Sequence, residues 1–256
     1  MLLAVDIGNS MVNLGVFKDE SLVANLRVST DARRSSDEYG LMIRDLLALN
    51  GVERSTITDV CMCSVVPPLT GVFEELSETY FHVKPLSITA GVRTGLQISY
   101  DNPRDVGADR IVDAVAAIQL YGQPVIIVDF GTATVFDAIS KDGVYLGGAI
   151  APGINVAAEA LFLNTSQLRR VELVAPKSAI GQNTSNALQA GLVLGYAGLV
   201  TGLVHRFKSE LGDNSKVIGT GGLATIISQE ADVFDDINQD LTLIGLRLIY
   251  NMTMSK

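Results

Sequence analysis

One short stretch occurs twice in this chain. Val5-Asp6-Ile7-Gly8-Asn9-Ser10-Met11-Val12 recurs as Val128-Asp129-Phe130-Gly131-Thr132-Ala133-Thr134-Val135, an offset of 123 residues. The same offset carries Lys18-Asp19-Glu20 onto Lys141-Asp142-Gly143 without a gap. Each copy opens with a short apolar run holding β-branched residues, which reads as a buried strand. Asp-x-Gly and a hydroxyl residue follow, and a second apolar run reads as the return strand of a hairpin. A repeat half the chain apart is no solenoid unit. It predicts two similar α/β domains with mixed sheets, residues 1–122 and 123–256 of the 256. A closing helix at 241–252 is free to pack back on the first of them.

The turns suggest what the domains hold. Free backbone N–H groups and short hydroxyl or amide side chains suit phosphate oxygens, and a carboxylate beside them suits a hydrated Mg²⁺ carried by those phosphates. Thr220-Gly221-Gly222 is a third Gly-bearing turn, placed between a strand and a helix. Together the three could surround a nucleoside triphosphate in a cleft that the two domains face.

Asp109-Arg110 is the other constellation, at the first turn of a predicted helix after a polar loop. It reads either as a solvated carboxylate in the helix dipole or as a base that takes the proton of an attacking hydroxyl, with Arg110 orienting the substrate. The dipole is expected to lower the Asp109 pKa. That is tolerable in phosphoryl transfer, where the hydroxyl loses its proton late. G-x-x-x-x-G-K-[ST], G-x-S-x-G and H-E-x-x-H patterns are absent, and the two histidines make His-based nucleophilic catalysis a poor fit.

Charge and composition narrow the partners. A formal net charge of −9 and a pI near 4.7 argue against a nucleic-acid backbone, as does the absence of Trp as a stacking platform. Cys61 and Cys63 share one face of a predicted strand without further ligands for a metal, so they read as buried free thiols. With no signal segment, that fits a cytoplasmic protein. Residues 187–204 form an uncharged run with Gly191, Gly195, Gly198 and Gly202 at helical spacing. It is long enough to span a bilayer, but as an isolated mid-chain segment it reads as a buried helix whose glycines admit a second helix.

Around these landmarks the first half reads βββαβαβ. Ser36 is expected to cap the first helix, and a helix starts at Pro67-Pro68. Residues 91–107 read as a loop over the cleft, and residues 167–175 as a charged connector.

These motifs resemble a known family. The tandem turns look like the actin and sugar-kinase superfamily of duplicated ATPase domains, with a ribonuclease H-like fold in each half. More narrowly, Asp6-Ile7-Gly8-Asn9-Ser10, Gly107-Ala108-Asp109-Arg110, Asp129-Phe130-Gly131-Thr132-Ala133-Thr134, Gly147-Gly148-x-Ile150-x-Pro152-Gly153, Gly181-x-Asn183-Thr184 and Thr220-Gly221-Gly222-Leu223-Ala224 together resemble type III pantothenate kinase. The resemblance runs nearly end to end. It implies that Asp6, Ile7, Gly8, Asn9, Ser10, Met11, Val12, Asn13 and Thr132 hold ATP with Mg²⁺. It further implies that Tyr100, Gly107, Ala108, Asp109, Arg110 and Thr184 hold pantothenate, with Asp109 accepting the proton. Asp129 would bind K⁺ or NH₄⁺, in a cytoplasmic homodimer with no nucleic-acid or membrane partner. Gln182 departs from a usual Lys or Arg and Arg169 from a usual Pro. The rivals are a kinase for another small hydroxy acid and a non-catalytic actin-like nucleotide switch.

Overall fold

The computed structural model describes every residue except 90, 91, 93, 255 and 256. Two compact units divide the chain. One comprises Met1–Leu96, Asn102–Ala116 and Thr242–Lys256; the other comprises Gln97–Asp101 and Ala117–Leu241.

The first unit begins with the meander β1 (Leu2–Ile7), β2 (Met11–Lys18) and β3 (Ser21–Ser29), followed by α1 (Ser36–Leu49), β4 (Asp59–Ser64), α2 (Pro67–Leu76) and β5 (Leu86–Ile88). Its sheet runs β3-β2-β1-β4-β5, with β1, β4 and β5 parallel. β1 is apolar almost throughout because both its faces are covered. Leu3, Val5 and Ile7 enter one core with Tyr39, Ile43, Leu69 and Phe73. Leu2 and Ala4 enter another with Cys61, Cys63, Leu246 and Ile249. The cap of α1 is Ser35 rather than Ser36. Ser35 Oγ accepts from Glu38 N at 3.3 Å, and Ser35 N donates to Glu38 Oε2 at 2.9 Å. Only with Ser35 as cap does Glu38 fall three residues in, where the reciprocal pair can close.

The chain continues with β6 (Gln97–Ile98), α3 (Ala108–Tyr121), β7 (Val125–Phe130), β8 (Ala133–Ile139), β9 (Val144–Pro152), α4 (Ile154–Leu163), α5 (Thr184–Gln189), α6 (Gly195–Leu211), β10 (Lys216–Thr220), α7 (Ala224–Ser228), β11 (Asp236–Ile237) and α8 (Leu241–Met254). The second sheet runs β11-β10-β7-β8-β9-β6. Its first five strands, read in reverse, repeat the first sheet: a three-stranded antiparallel meander whose first strand continues into two parallel neighbours. The duplication in sequence is therefore a duplication of topology. β6 has no counterpart and lies within the stretch read as a loop, of which residues 91 and 93 are outside the described residues. A two-residue strand carries no periodicity to read.

α5 and α6 join through a π-helical turn at Ala190–Leu194 into one helix, Thr184–Leu211. Leu192, Val193, Ala197, Val200 and Val204 lie in the second unit's core with Ile126, Val128, Phe136 and Val217. By length and composition this helix could cross a membrane, yet 39% of its most apolar window is buried inside the protein.

The ungapped repeat conceals two compensating differences. Ile7 pairs with Val12 across a turn of residues 8–11, whereas Phe130 pairs with Thr134 across the shorter turn 131–133. The next turn absorbs the difference: Lys18 pairs with Ser21, but Ser140 N reaches Val144 O at 2.9 Å.

Candidate active site

β1 places Asp6 one residue before its end, between Asn13 on antiparallel β2 and Cys63 on parallel β4. Asn13 Nδ2 donates to Asp6 Oδ2 at 2.9 Å, and Cys63 Sγ donates to Asp6 Oδ1 at 3.6 Å. Burial raises the Asp6 pKa to about 6; the Asn13 bond opposes this, the Asp109 carboxylate adds to it, and the Cys63 bond opposes it. The following turn is stapled. Gly8 N donates to Met11 O at 3.0 Å, Thr30 Oγ1 to Gly8 O at 2.7 Å and Thr30 N to Ser10 O at 3.1 Å. Asn9 and Ser10 are exposed. Ile7 and Val12 send their side chains into the core, so only their backbone faces outward.

Asp109 lies in the first turn of α3, and its Oδ1 accepts from Arg110 N at 2.8 Å. Burial raises its pKa, and this outweighs the backbone bond and the charge of Arg110, which lower it. The dipole-lowered carboxylate expected from sequence is thus reversed, because desolvation acts on the whole charge while the helix end supplies only a partial one. A Cβ on Gly107 would stand 2.5 Å from Asp109 Oδ1, so the glycine makes room for the carboxylate. Gly107, Ala108, Asp109 and Arg110 are all partly buried. Asp6, Asp109 and Cys63 form one electrostatic cluster: both carboxylates push the Cys63 thiol up, after burial, which is the largest cause.

In the second unit, Asp129 lies opposite Thr220 of parallel β10. Gly221 follows at φ +86°, and a Cβ there would come within 2.5 Å of Asp129 Oδ1; only glycine meets both conditions. Gly131 N donates to Ala133 O at 3.0 Å, and Gly153 N donates to Thr132 O at 3.0 Å. A Cβ on Gly153 would sit 2.3 Å from Thr132 O, so the Gly/Pro corner presses directly on the turn. α7, after Thr220-Gly221-Gly222, is only five residues long. Its dipole is correspondingly small. Tyr100 is 36% exposed. Thr184 is exposed as the first residue of α5, while Asn183 caps that helix, its Oδ1 accepting from Asn186 N at 2.9 Å. Gln182 and Arg169 are both exposed.

Among the described residues no group of three or more His, Cys, Asp and Glu could hold a metal ion. Sequence reasoning missed Cys63 as a donor to Asp6, Thr30 as the staple of the first turn, and Gly153 as the clamp of the second. The Cys63 contact depends on β4 lying parallel to β1 in the register that sets Cys63 opposite Asp6, which the C-x-C pattern alone does not fix.

Residues 2–206 match the family model described as type III pantothenate kinase. The chain belongs to that family. A type III pantothenate kinase of Myxococcus xanthus (strain DK1622) is 51% identical over 250 residues, 98% of each chain. That of Roseiflexus sp. (strain RS-1) is 49% identical over 255 residues, covering 100% of both. Among solved structures, a Campylobacter jejuni protein described as a Baf family transcriptional activator aligns with a TM-score of 0.64 at 19% identity, over 99% of this chain and 100% of that one. A Sinorhizobium meliloti protein described as a 2-dehydro-3-deoxygalactonokinase aligns at 0.60 and 13% identity over 100% of both. At such identities these two speak to the fold, which is the actin-like fold of sugar kinases. Type III pantothenate kinases are ATP-dependent phosphotransferases acting on an alcohol group, and the protein is one of them.

Proposed function

We propose that the protein transfers the γ-phosphoryl group of ATP to the primary hydroxyl of pantothenate, giving 4′-phosphopantothenate for coenzyme A synthesis. The observation that carries this reading is the family match over residues 2–206, and the Asp109 carboxylate, near enough to Asp6 to raise its pKa, supports it. In this reading the backbone of Asp6, Ile7, Gly8, Asn9, Ser10, Met11, Val12 and Asn13, with the Ser10 hydroxyl, takes the ATP phosphates in the first unit, and Thr132 takes them in the second. Asn13 acts mainly by holding Asp6. Gly107, Ala108, Arg110, Tyr100 and Thr184 bind pantothenate. Asp109 accepts the hydroxyl proton, and its raised pKa makes it a better base than a solvated aspartate. Mg²⁺ bound with ATP supplies charge neutralisation on the transferring phosphoryl group.

Asp129 with Thr132 suits a K⁺ or NH₄⁺ ion, because their donors are a carboxylate, carbonyls and a hydroxyl rather than nitrogen or sulfur. The homodimer reading is supported by Gly191, Gly195, Gly198 and Gly202. All four are exposed on one stripe of the Thr184–Leu211 helix, and a Cβ on any of them meets nothing within 4 Å. A second helix can approach closely along such a stripe. A cytoplasmic location without a nucleic-acid or membrane partner completes the reading, and the acidic charge supports it. The test is ADP release with and without pantothenate, with product mass measured. Pantothenate-dependent ADP release and a phosphorylated product are expected; equal hydrolysis without pantothenate would overturn the assignment.

A further inference from the structure

The second unit contains a buried polar pair that the reading above does not use. Tyr145 on β9 is fully buried and Asp137 on β8 nearly so. The Tyr145 hydroxyl donates to Asp137 Oδ1 at 2.7 Å. They share a face because of one irregularity. Asp137 pairs with Gly148 and Ala138 with Gly147, but the register then shifts, so that Ile139 pairs with Tyr145. Without that bulge Ile139 would pair with Leu146, and Tyr145 would point to the opposite side of the sheet. Asp137 is also on the face of Asp129, since Asp129 pairs with Val135, two residues before it.

Tyr100 packs on the Tyr145 ring of this pair. β6 runs parallel to β9 with Ile98 opposite Tyr145, and Ser99 N donates to Tyr145 O at 2.8 Å. The Tyr100 and Tyr145 ring centroids are 6.4 Å apart at an interplanar angle of 56°, inside the favourable range for tilted aromatic pairs. Gly147, at φ +118°, leaves the space the Tyr100 ring needs: a Cβ there would stand 3.0 Å from its Cε2. Tyr100 is thus an exposed ring with a built foundation.

We propose that Tyr145, anchored by Asp137, is a positioning residue for pantothenate that fixes the Tyr100 ring from beneath. This rests on the reading that Tyr100 contacts pantothenate. A ring already held in place loses less freedom when substrate binds, so the foundation acts on pantothenate affinity rather than on ATP or on the chemical step.

The experiment is a set of steady-state KM and kcat measurements on purified variants. Tyr145→Phe keeps the ring and removes the hydroxyl. It should raise KM for pantothenate by roughly 3–10-fold, with KM for ATP and kcat within about twofold. Tyr145→Phe should have no effect on pantothenate KM in a Tyr100→Ala background, the non-additivity expected of residues acting through one another. An unchanged pantothenate KM in Tyr145→Phe, or the same rise in both backgrounds, overturns the proposal while leaving the role of Tyr100 intact. An unchanged pantothenate KM in Tyr100→Ala overturns the reading it rests on, and the proposal with it.

Discussion

The two hairpins that repeat in sequence hold their aspartates differently. Asp6 has Asn13 across from it on one side and Cys63 on the other, both donating to its carboxylate. Asp129 has Val135 and Thr220 in the corresponding places, and Gly221 packed against one of its oxygens. The cause is the turn. With one residue fewer between β7 and β8, every β8 residue moves back by one, and the counterpart of Asn13 becomes Val135 rather than Phe136. In the same backbone frame, Asp6 is flanked by Asn13 and Cys63 donating to it, while the Asp129 carboxylate has Gly221 packed against it. One duplicated unit thus sets two carboxylates in different surroundings: one beside Asp109, and one at a small-residue turn.

The largest effect that would test this division is at Asp109. Asp109→Asn should lower kcat by roughly 10²–10⁴, the range for loss of general acid–base catalysis, without loss of folding. A variant with normal kcat would remove the chemistry from the first unit. In the wild type, kcat/KM should fall as pH drops toward about 6 and below, because burial raises both the Asp6 and the Asp109 pKa and each must be ionised.

Asp6→Asn should be nearly as damaging to turnover, yet it should stabilise the fold near neutral pH. The folded Asp6 pKa, about 6, stands above its ordinary value of 3.8. Between those values the native state binds more protons than the unfolded state. The group's contribution to stability is therefore present at low pH and lost as pH rises through that window. Without ATP or Mg²⁺, Asp6→Asn should raise Tm at pH 7–8 by a few degrees, from about 1–3 kcal/mol of relieved burial. A lower Tm at pH 7–8 would mean that the two donors outweigh the burial.

At Asp129 the expected loss is smaller and conditional. Replacing K⁺ with Na⁺ or Li⁺ at constant ionic strength should raise KM for ATP and lower turnover. Asp129→Asn should blunt that response and cost roughly 5–30-fold at saturating K⁺, the equivalent of 1–2 kcal/mol. A rate independent of K⁺ in a cation-free buffer would erase the contrast between the two aspartates.

The mildest chemical effect is expected at Gly198→Leu. The new side chain meets open space within one protomer, so Tm at high dilution should hold while sedimentation equilibrium shows a weakened dimer. A monomeric, fully active wild type would remove the interface from the helix.

Much of this was legible from residues alone. The duplicated Asp-x-Gly stretch carried the fold class, because a buried strand leading into a small-residue turn is encoded locally by apolar and β-branched residues followed by glycine. Asp109 stood out for the same reason, at a helix start readable from Gly107-Ala108. Three things were decided only in three dimensions. The ungapped 123-residue offset hid a shortened first turn and a lengthened second one, since a strand's register depends on its partner's position and not on its own sequence. The Asp109 pKa shifts opposite to the helix-dipole expectation, because desolvation depends on what covers the carboxylate. The foundation under Tyr100 exists only because a bulge between Ala138 and Ile139 turns Tyr145 to the face of Asp137; Gly147 in the strand is compatible with a bulge, but only the register decides which side chain it turns to that face. Local chemistry selects strands, turns and candidate side chains; pairing register and burial decide which of those side chains meet and how they titrate.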